Sequence, residues 1–250
     1  MQLAPTNALL GCDVSHWDDP LDFQAVKTAN RRFVYIAGGD GQTYQDPMFA
    51  THWRAAQAQG LVTGIYWVVH PDLDTPSTIA WWILDRLSLI GGQQGNDLPP
   101  VLDLESPPSG ISREACVAWL HQCRQDLDAA IRNPQQKTLL YANVSTLTWL
   151  AGASNIALLA DMGLWVAWYN PTPPPDIGPW TRWTVWQQTN ALQVPGHAGR
   201  LDGDVWYGDA TTLPGYVPPA PPSPSPDVSA LQAQIATLEA KIAKARADLA

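Results

Sequence analysis

The sequence predicts an α/β fold, in which a parallel sheet, closed or open, carries helices on its outer side. Between residues 32 and 143, short apolar runs of strand character alternate with longer segments of helical periodicity. After residue 160 the apolar runs are strand-like and no long helix is apparent. The composition becomes proline-rich after Tyr216, which marks the end of the domain. In such a fold, active groups gather at the carboxyl ends of the strands.

The predicted elements follow one another along the chain. The segments "RFVYIAG", "VTGIYWVV", "PPVLDLE" and "TLLYAN" are predicted strands, and "FATHWRAAQAQG", "TPSTIAWWILDRLSLIGG" and "SREACVAWLHQCRQDLDAAIR" are predicted helices. Ser112 is predicted to cap the third helix, and Gly60 and Gly91 to follow the first two in the left-handed conformation. The last third is predicted to be mostly β, from "GLWVAWYN", "WTVWQQT" and "LDGDVWYG".

Composition limits the class of partner. The chain has 250 residues, enough for one barrel-sized domain or two smaller ones, and 46% of them are apolar. Charged residues make up 15%, the net charge is -9, and no basic cluster occurs, which argues against nucleic acid or an anionic membrane as the partner. Thirteen tryptophans against three phenylalanines favour flat rings with an N–H donor, which suit sugars.

The cysteines argue against disulfides and a metal site, and the N-terminal segment argues against a signal peptide. Cys12, Cys116 and Cys123 do not form a disulfide framework and are expected to be free thiols. The Cys and His residues lack the spacing of metal ligands, so neither a metal nor another cofactor is predicted. The opening "MQLAPTNALLG" lacks the features of a signal peptide, and no segment approaches the ~18 apolar residues of a membrane span. The chain is therefore expected to be made in the cytoplasm, without membrane insertion.

The stretch "PPVLDLESPP", residues 99–108, places two carboxylates in a short apolar run between prolines. On a strand, Asp103 and Glu105 project from the same face, with backbones ~6.5 Å apart at the usual rise per residue. In a partly dry site the two acids cannot both ionise freely, so one pKa is expected to rise and supply a general acid. The alternative is a structural pair of carboxylates that forms ion pairs with Lys or Arg neighbours or accepts hydrogen bonds from loop amides.

Two more acids fall at predicted strand ends. Asp13 lies in "LLGCDVSHW", and Asp202 lies in "GRLDGDVWYGD", near the end of the domain. In a closed barrel the first and last strands are neighbours, so these acids are expected to meet Asp103 and Glu105 in one pocket. Aromatic residues accompany the segments and are candidates for sugar contact or for the core: Trp17, Trp67, Trp168 and Trp186.

From about residue 8 to about residue 210 the chain resembles the family 25 glycoside hydrolases, the lysozymes of the phage and bacterial N-acetylmuramidase type. The resemblance rests on the order and spacing of seven blocks: "GCDVSHW", "GIYWVV", "VLDLE", "LLYAN", "LWVAWY", "VWQQT" and "LDGDVWYGD". It implies a flattened eight-stranded (β/α)5β3 TIM-like barrel. It also implies cleavage of the β-1,4 bond between N-acetylmuramic acid and N-acetylglucosamine in peptidoglycan glycan strands.

The resemblance also implies roles for single residues. Glu105 matches the general acid of the family, Asp103 its partner, and Asp13 the first-strand acid. Asp202, rather than Asp204, matches the last-strand acid. Candidate substrate-binding residues are Tyr66, Trp67, Tyr141, Trp168, Gln187 and Trp17. Asp40 departs from the family, which more often has Glu there. Trp67 stands in the third-strand block where the family usually has an aromatic or His-containing neighbour.

Glycoside hydrolysis needs a proton for the leaving oxygen and negative charge or a nucleophile near the oxocarbenium-like centre. Glu105 is expected to give the proton, with its pKa raised by the charges of Asp13 and Asp202. Asp103 could orient the 2-acetamido group of the substrate as an internal nucleophile, or activate water and invert the centre. Backbone spacing does not decide between these mechanisms, and we favour substrate assistance.

Beyond the proposed catalytic barrel, residues 1–216, two segments remain. Residues 217–226, "VPPAPPSPSP", read as an extended linker. Residues 227–250 repeat apolar side chains in heptad steps, which predicts an amphipathic or coiled-coil helix that oligomerises or docks on a partner. The alternative is a marginal alanine-rich helix, or one that packs on the barrel.

The sequence thus favours a peptidoglycan hydrolase, a phage endolysin or virion-associated lysin that acts on the bacterial cell wall after phage-encoded release or as part of the virion. Two other classes stay open. A non-catalytic glycan-binding module would normally lose the acid of the Asp-x-Glu pair, and its presence favours the enzyme. A structural or assembly component would use residues 227–250 as a coiled-coil anchor.

Overall fold

The computed structural model describes residues 1–95, 97–132, 137–209 and 212–214. The strands are β1 (Leu9–Val14), β2 (Arg31–Asp40), β3 (Tyr44–Gln45), β4 (Val62–Val68), β5 (Val101–Asp103), β6 (Leu139–Asn143), β7 (Gly163–Ala167), β8 (Val185–Leu192) and β9 (Leu201–Trp206). The helices are α1 (Phe23–Thr28), α2 (Phe49–Ala58), α3 (Pro76–Ser88), α4 (Arg113–Ile131) and α5 (Val144–Ala151), with 3-10 turns at His16–Asp18 and Ile156–Leu159.

Eight of these strands close into a barrel. Neighbours follow the order β1, β9, β8, β7, β6, β5, β4, β2, and β2 closes the ring by pairing with β1, while β3 lies outside on the edge of β2. Within the barrel, β1, β2, β4, β5, β6, β7 and β8 pair in parallel, and β9 runs antiparallel to its two neighbours, as the edge strand β3 does to β2. A helix follows each of the first five parallel barrel strands, so the predicted (β/α)5β3 barrel is confirmed.

The apolar core forms two layers that follow the strand alternation. On β2, Phe33 and Tyr35 face the barrel interior, whereas Val34 and Ile36 pack against the helices outside. The rings are so closely fitted that a Cβ at Gly11 would lie 2.3 Å from the Phe33 ring. The interior is therefore a packed core, and the open space lies toward the carboxyl ends of the parallel strands.

Local signals in the sequence set several helix ends as predicted. Ser112 Oγ accepts a hydrogen bond from the Ala115 backbone N–H at 3.1 Å and caps α4. Gly60 and Gly91 follow α2 and α3 with φ of +68° and +94°, the conformation that glycine adopts without strain. The sequence analysis missed α1 and α5, because six and eight residues are too few to show a clear helical period.

The predicted linker, residues 217–226, and the predicted helix, residues 227–250, lie outside the described residues. Within the described part of the chain, no helix has the length and apolar character needed to cross a bilayer.

Candidate active site

Asp13 and Asp202 meet where the barrel closes. They are directly opposite each other in the antiparallel pairing of β1 with β9, so both side chains point into the barrel. Because β9 runs antiparallel, its first residues lie beside the last residues of β1. Gln187 Nε2 donates to Asp13 Oδ2 at 2.9 Å and to Asp202 Oδ2 at 3.0 Å. The predicted convergence of the first and last strands is thus observed.

The two carboxyl groups have raised pKa values. Burial, followed by the charge of Asp202, raises the pKa of Asp13 to about 7. Burial, followed by the charge of Asp18, raises the pKa of Asp202 to about 6. Like charges held this close oppose joint ionisation, so the pair tends to retain one proton near neutral pH.

Gln187 on β8 connects this acid pair to two tyrosines. Its side chain is 1% exposed, and its Oε1 accepts hydrogen bonds from the hydroxyls of Tyr141 at 3.0 Å and Tyr169 at 2.7 Å. Since a phenol donates to the amide oxygen, the amide nitrogen must face Asp13 and Asp202. Gln187, expected to contact substrate, lines the cleft and orients the two acids through its amide nitrogen.

Asp103 and Glu105 are brought to the same cleft but not to the same environment. β5 ends at Asp103, which is 5% exposed, and Glu105 lies beyond the strand and is exposed. The backbone carbonyl of Glu105 accepts hydrogen bonds from Asn143 Nδ2 at 2.8 Å and Thr146 Oγ1 at 3.1 Å. The predicted shared environment is wrong, because the strand alternation that would impose it stops two residues too early.

Asp103 is the member of the pair whose carboxyl group is buried and whose pKa is raised. Its Oδ1 is buried and receives no hydrogen bond from the described residues. Burial raises its pKa well above the ordinary value, and the charges of Glu105, Asp13 and Asp40 add to the effect. A carboxylate in this position lacks a donor that a bound ligand could supply.

These acids line one cleft of about 250 Å³ at the carboxyl end of the barrel. Among the described residues, its lining includes six acidic residues and no Lys or Arg, so the alternative of a structural pair neutralised by Lys or Arg neighbours is not supported. Glu105 also borders two adjoining grooves, one toward Tyr141 and Trp168, the other toward His70 and Asp72. The acidic residues of the cleft are Asp13, Asp40, Asp46, Asp103, Glu105 and Asp202.

Aromatic side chains form the walls. Trp17 is 84% exposed at the rim of the cleft, with its ring centroid 4.4 Å from that of His16. Tyr66 and Tyr141 line the cleft from β4 and β6, and burial raises the pKa of both phenols. Trp168 lines the adjoining groove and donates through Nε1 to the Thr172 carbonyl at 2.9 Å.

Trp67 does not reach the cleft. It is 0% exposed, packs in the layer between barrel and helices, and donates through Nε1 to the Gly41 carbonyl at 2.9 Å. Tyr66 and Trp67 are adjacent on β4, and adjacent strand residues point to opposite faces. Only one of them could face the substrate, and the expectation for Trp67 is corrected. Trp186 is also a core residue, 3% exposed.

The sequence analysis missed Tyr169, and it set Asp204 aside in favour of Asp202. Tyr169 holds Gln187, as described above, and lines the groove next to Trp168. Asp204 lies two residues after Asp202 on β9, and Trp165 Nε1 donates to its Oδ1 at 3.0 Å. The i, i+2 spacing of the two acids was visible in "LDGDVW" and is the signal that could have found Asp204.

Comparison with known proteins agrees with this geometry. A sequence model of the family described as Glycosyl hydrolases family 25 matches residues 12–197. Lysozyme M1 of Streptomyces globisporus is 28% identical over 218 residues, which cover 84% of this chain and 71% of that protein. N,O-diacetylmuramidase of Chalaropsis sp. is 28% identical over 206 residues, covering 78% and 94%. The solved bacterial lysozyme from Streptomyces coelicolor has a TM-score of 0.73 at 27% identity, covering 84% and 96%.

Proposed function

The chain belongs to glycosyl hydrolase family 25 and is a glycoside hydrolase, and on this premise we propose that it hydrolyses the β-1,4 bond between N-acetylmuramic acid and N-acetylglucosamine in peptidoglycan. The convergence of Asp13, Asp103, Glu105 and Asp202 in one cleft, whose described lining residues include neither Lys nor Arg, carries the proposal. Negative charge concentrated there suits a reaction whose transition state carries positive charge on the sugar.

Glu105 is the proposed general acid. It is exposed in the cleft, where it can reach the oxygen of the scissile bond, and its backbone is fixed by Asn143 and Thr146. Asp103 is the proposed partner that orients the 2-acetamido group. The acetamido N–H would supply the hydrogen bond that Asp103 Oδ1 lacks and would favour its ionised form.

A polymer is the substrate that fits the surface. Glu105 stands where the central cleft and the two adjoining grooves meet, so a glycan strand can extend to both sides of the bond that is cut. Trp17, Tyr141, Trp168 and Tyr66 offer aromatic faces and hydroxyls along this path. The printed names of the relatives, a lysozyme and an N,O-diacetylmuramidase, support a cell-wall glycan.

We also propose an organisation for the whole chain. Residues 1–216 form the catalytic domain, residues 217–226 a proline-rich linker, and residues 227–250 a heptad helix that oligomerises or docks on a partner. Sedimentation of the full chain and of residues 1–226 tests whether residues 227–250 cause self-association. If both proteins sediment as monomers, self-association is contradicted.

The biological setting that we propose is a phage endolysin or a virion-associated lysin that acts on the bacterial wall without inserting into a membrane. Lysis of intact bacteria by added enzyme would show antimicrobial action. Lysis of the same bacteria by an enzyme that lacks residues 227–250 tests whether this segment contributes to hydrolysis of the cell wall.

The decisive experiment measures turbidity loss of purified peptidoglycan with wild type and Glu105→Gln. The variant should lose on the order of 10³-fold in rate, because the proton donor is gone while the shape stays. Glu114→Gln, which removes a carboxylate on α4 outside the cleft, is the matched control. Mass analysis should find muramic acid at the new reducing ends. Glucosamine ends would contradict the bond, and binding without cleavage would favour a glycan-binding module.

A further inference from the structure

Asp204 has no role in the proposed reaction, although it lies directly beneath the acids that do. It follows Asp202 by two residues on β9, so both side chains point into the barrel, and it is 0% exposed. It is absent from the lining of the cleft that contains Asp13 and Asp202. Asp204 therefore cannot touch the substrate and can act only through its neighbours.

The hydrogen bonds of Asp204 indicate where a proton sits. Oδ1 accepts from Trp165 Nε1 at 3.0 Å, whereas the buried Oδ2 receives no N–H or O–H donor from the described residues. The pairing of β1 with β9 sets Asp204 opposite Gly11, so its side chain lies on the same face as that of Asp13, two residues further along β1, within reach of a hydrogen bond between the two carboxyl groups. Two carboxyl groups can share a hydrogen bond only when one of them holds the proton.

Burial favours Asp204 as the member of this pair that keeps the proton, because Asp204 is 0% exposed whereas Asp13 lines the open cleft. The surroundings of Asp204 are dry, and burial raises its pKa well above the ordinary value, with the charge of Asp13 and the hydrogen bond to it adding to the effect. The same hydrogen bond acts in the opposite direction on Asp13, whose pKa it lowers. This is the relationship between a neutral donor and a charged acceptor.

The other titratable groups around Asp204 are compatible with a neutral acid. Asp202 on the same strand further raises the pKa of Asp204. Cys12 on β1 and Tyr35 on β2 are buried groups whose own pKa values are raised. Tyr169 beyond β7 also interacts with Asp204 electrostatically. Arg31 at the start of β2 does so as a cation, but it forms no ion pair with Asp204.

We propose that Asp204 is a positioning residue: as a neutral carboxylic acid beneath the cleft, it donates a hydrogen bond to Asp13, favours the charged form of that carboxyl group and orients it toward the substrate. The inference rests on the proposed function in one respect, namely that Asp13 acts on the substrate. It has a sharp chemical consequence. An asparagine at position 204 can donate the same hydrogen bond through its N–H, whereas a leucine of similar shape cannot.

The proton itself can be observed in wild type and Asp204→Asn. Their difference infrared spectrum at pH 8 should contain the carbonyl stretch of a protonated carboxyl group, present in wild type and lost in the variant, with the shift on transfer to D₂O that an O–H group shows. If the band lost is that of an ionised carboxylate, the proposal is overturned. This measurement needs no substrate.

Kinetics then separate positioning from structural support. Asp204→Asn should stay within about threefold of wild type at every pH, and Asp204→Leu should lose on the order of 10²-fold at pH 6, because Asp13 is misplaced and protonated. The loss in Asp204→Leu should shrink as the pH rises and Asp13 ionises. Equal losses in both variants, or a loss that does not depend on pH, would overturn the proposal.

A direct titration keeps the inference separate from the proposed function. Carbon-13 NMR of Asp13 in the full chain should give a higher pKa in Asp204→Leu than in wild type, and an unchanged pKa in Asp204→Asn. If no variant hydrolyses peptidoglycan but this pattern is found, the proposed function fails and the inference stands. If Asp204→Leu does not fold, the infrared result and an unchanged Asp13 pKa in Asp204→Asn support it. A raised Asp13 pKa in Asp204→Asn contradicts it.

Discussion

Asp13 and Asp202 face each other across the pairing of the first and last strands of the barrel, and both carboxylates accept a hydrogen bond from the one side-chain amide of Gln187, at 2.9 and 3.0 Å. The barrel must close before these acids can meet, since 188 residues separate them along the chain (202 − 13 − 1). Closure thus assembles the charge of the site. It also stores unfavourable repulsion, which several measurements can detect.

The coupling of the two acids can be measured with Asp202→Asn. The charge of Asp202 raises the pKa of Asp13, so its removal should let Asp13 ionise at lower pH. The acid limb of kcat/KM that depends on Asp13 should therefore move to lower pH, below the pKa of about 7 in wild type. Asp126→Asn, on the outer helix α4, should leave the limb in place. A limb that moves upward in Asp202→Asn contradicts this account.

The burial of Asp13, together with the same repulsion, should lower stability in a pH-dependent manner. The folded-state pKa of Asp13 is about 7, above the ordinary 3.8, so the folded protein binds the proton more tightly than the unfolded chain does. This contribution to stability is complete below the unfolded pKa and is lost as the pH rises through the folded pKa. Asp13→Asn should therefore raise the free energy of unfolding by on the order of 2 kcal/mol at pH 8 and change it little at pH 4. Urea denaturation at both pH values measures the difference, and a stabilisation larger at pH 4 would reverse the sign.

Tyr141 and Tyr169 should support Gln187 redundantly. Each hydroxyl donates to the same Oε1, so Tyr141→Phe or Tyr169→Phe leaves one donor to hold the amide. Each single variant should lose less than about fivefold in kcat, while the double variant should lose on the order of 10²-fold, because the amide can then turn away from the acids. A double variant whose loss equals the product of the single losses would show that the two donors act independently.

The role of Asp103 can be read from product stereochemistry. If it orients the acetamido group, the first product seen by proton NMR should retain the anomeric configuration, and a thiazoline analogue of the cyclic intermediate should inhibit. Asp103→Asn should lose on the order of 10³-fold in kcat and bind the analogue more weakly. An inverted product would assign Asp103 to water activation instead.

Two tryptophans provide a contrast between surface and core. Trp17 is 84% exposed at the rim, so Trp17→Ala should raise KM for the polymer several-fold and leave the melting temperature near that of wild type. Trp67 is 0% exposed in the outer core, so Trp67→Ala should destabilise the fold by about 3–5 kcal/mol. Thermal denaturation and kinetics of both variants test the pair. A Trp67→Ala enzyme that is as stable as wild type but has a raised KM would contradict the core position of Trp67 and support a contact with substrate.

The sequence by itself determined the order of elements and the positions of the main acids. Alternating periods along the chain predicted the βα alternation and the later strands, the family resemblance implied five βα units, and local chemistry placed the cap at Ser112. The motifs placed Asp13 and Asp202 at strand ends and Asp103 and Glu105 together on one strand, which the structure confirms for Asp103 but not for Glu105. These features depend on neighbours within a few residues, which a sequence displays directly.

Only the tertiary structure decided how these residues are used. It showed that β5 stops at Asp103, so that one acid of the pair is buried and the other is exposed. It turned Trp67 outward, placed Gln187 in the cleft between Asp13 and Asp202, and buried Asp204 outside the cleft lining. Burial and electrostatic interaction depend on distances in space between distant segments, here from the first strand to the last. Those distances exist only once the barrel has closed.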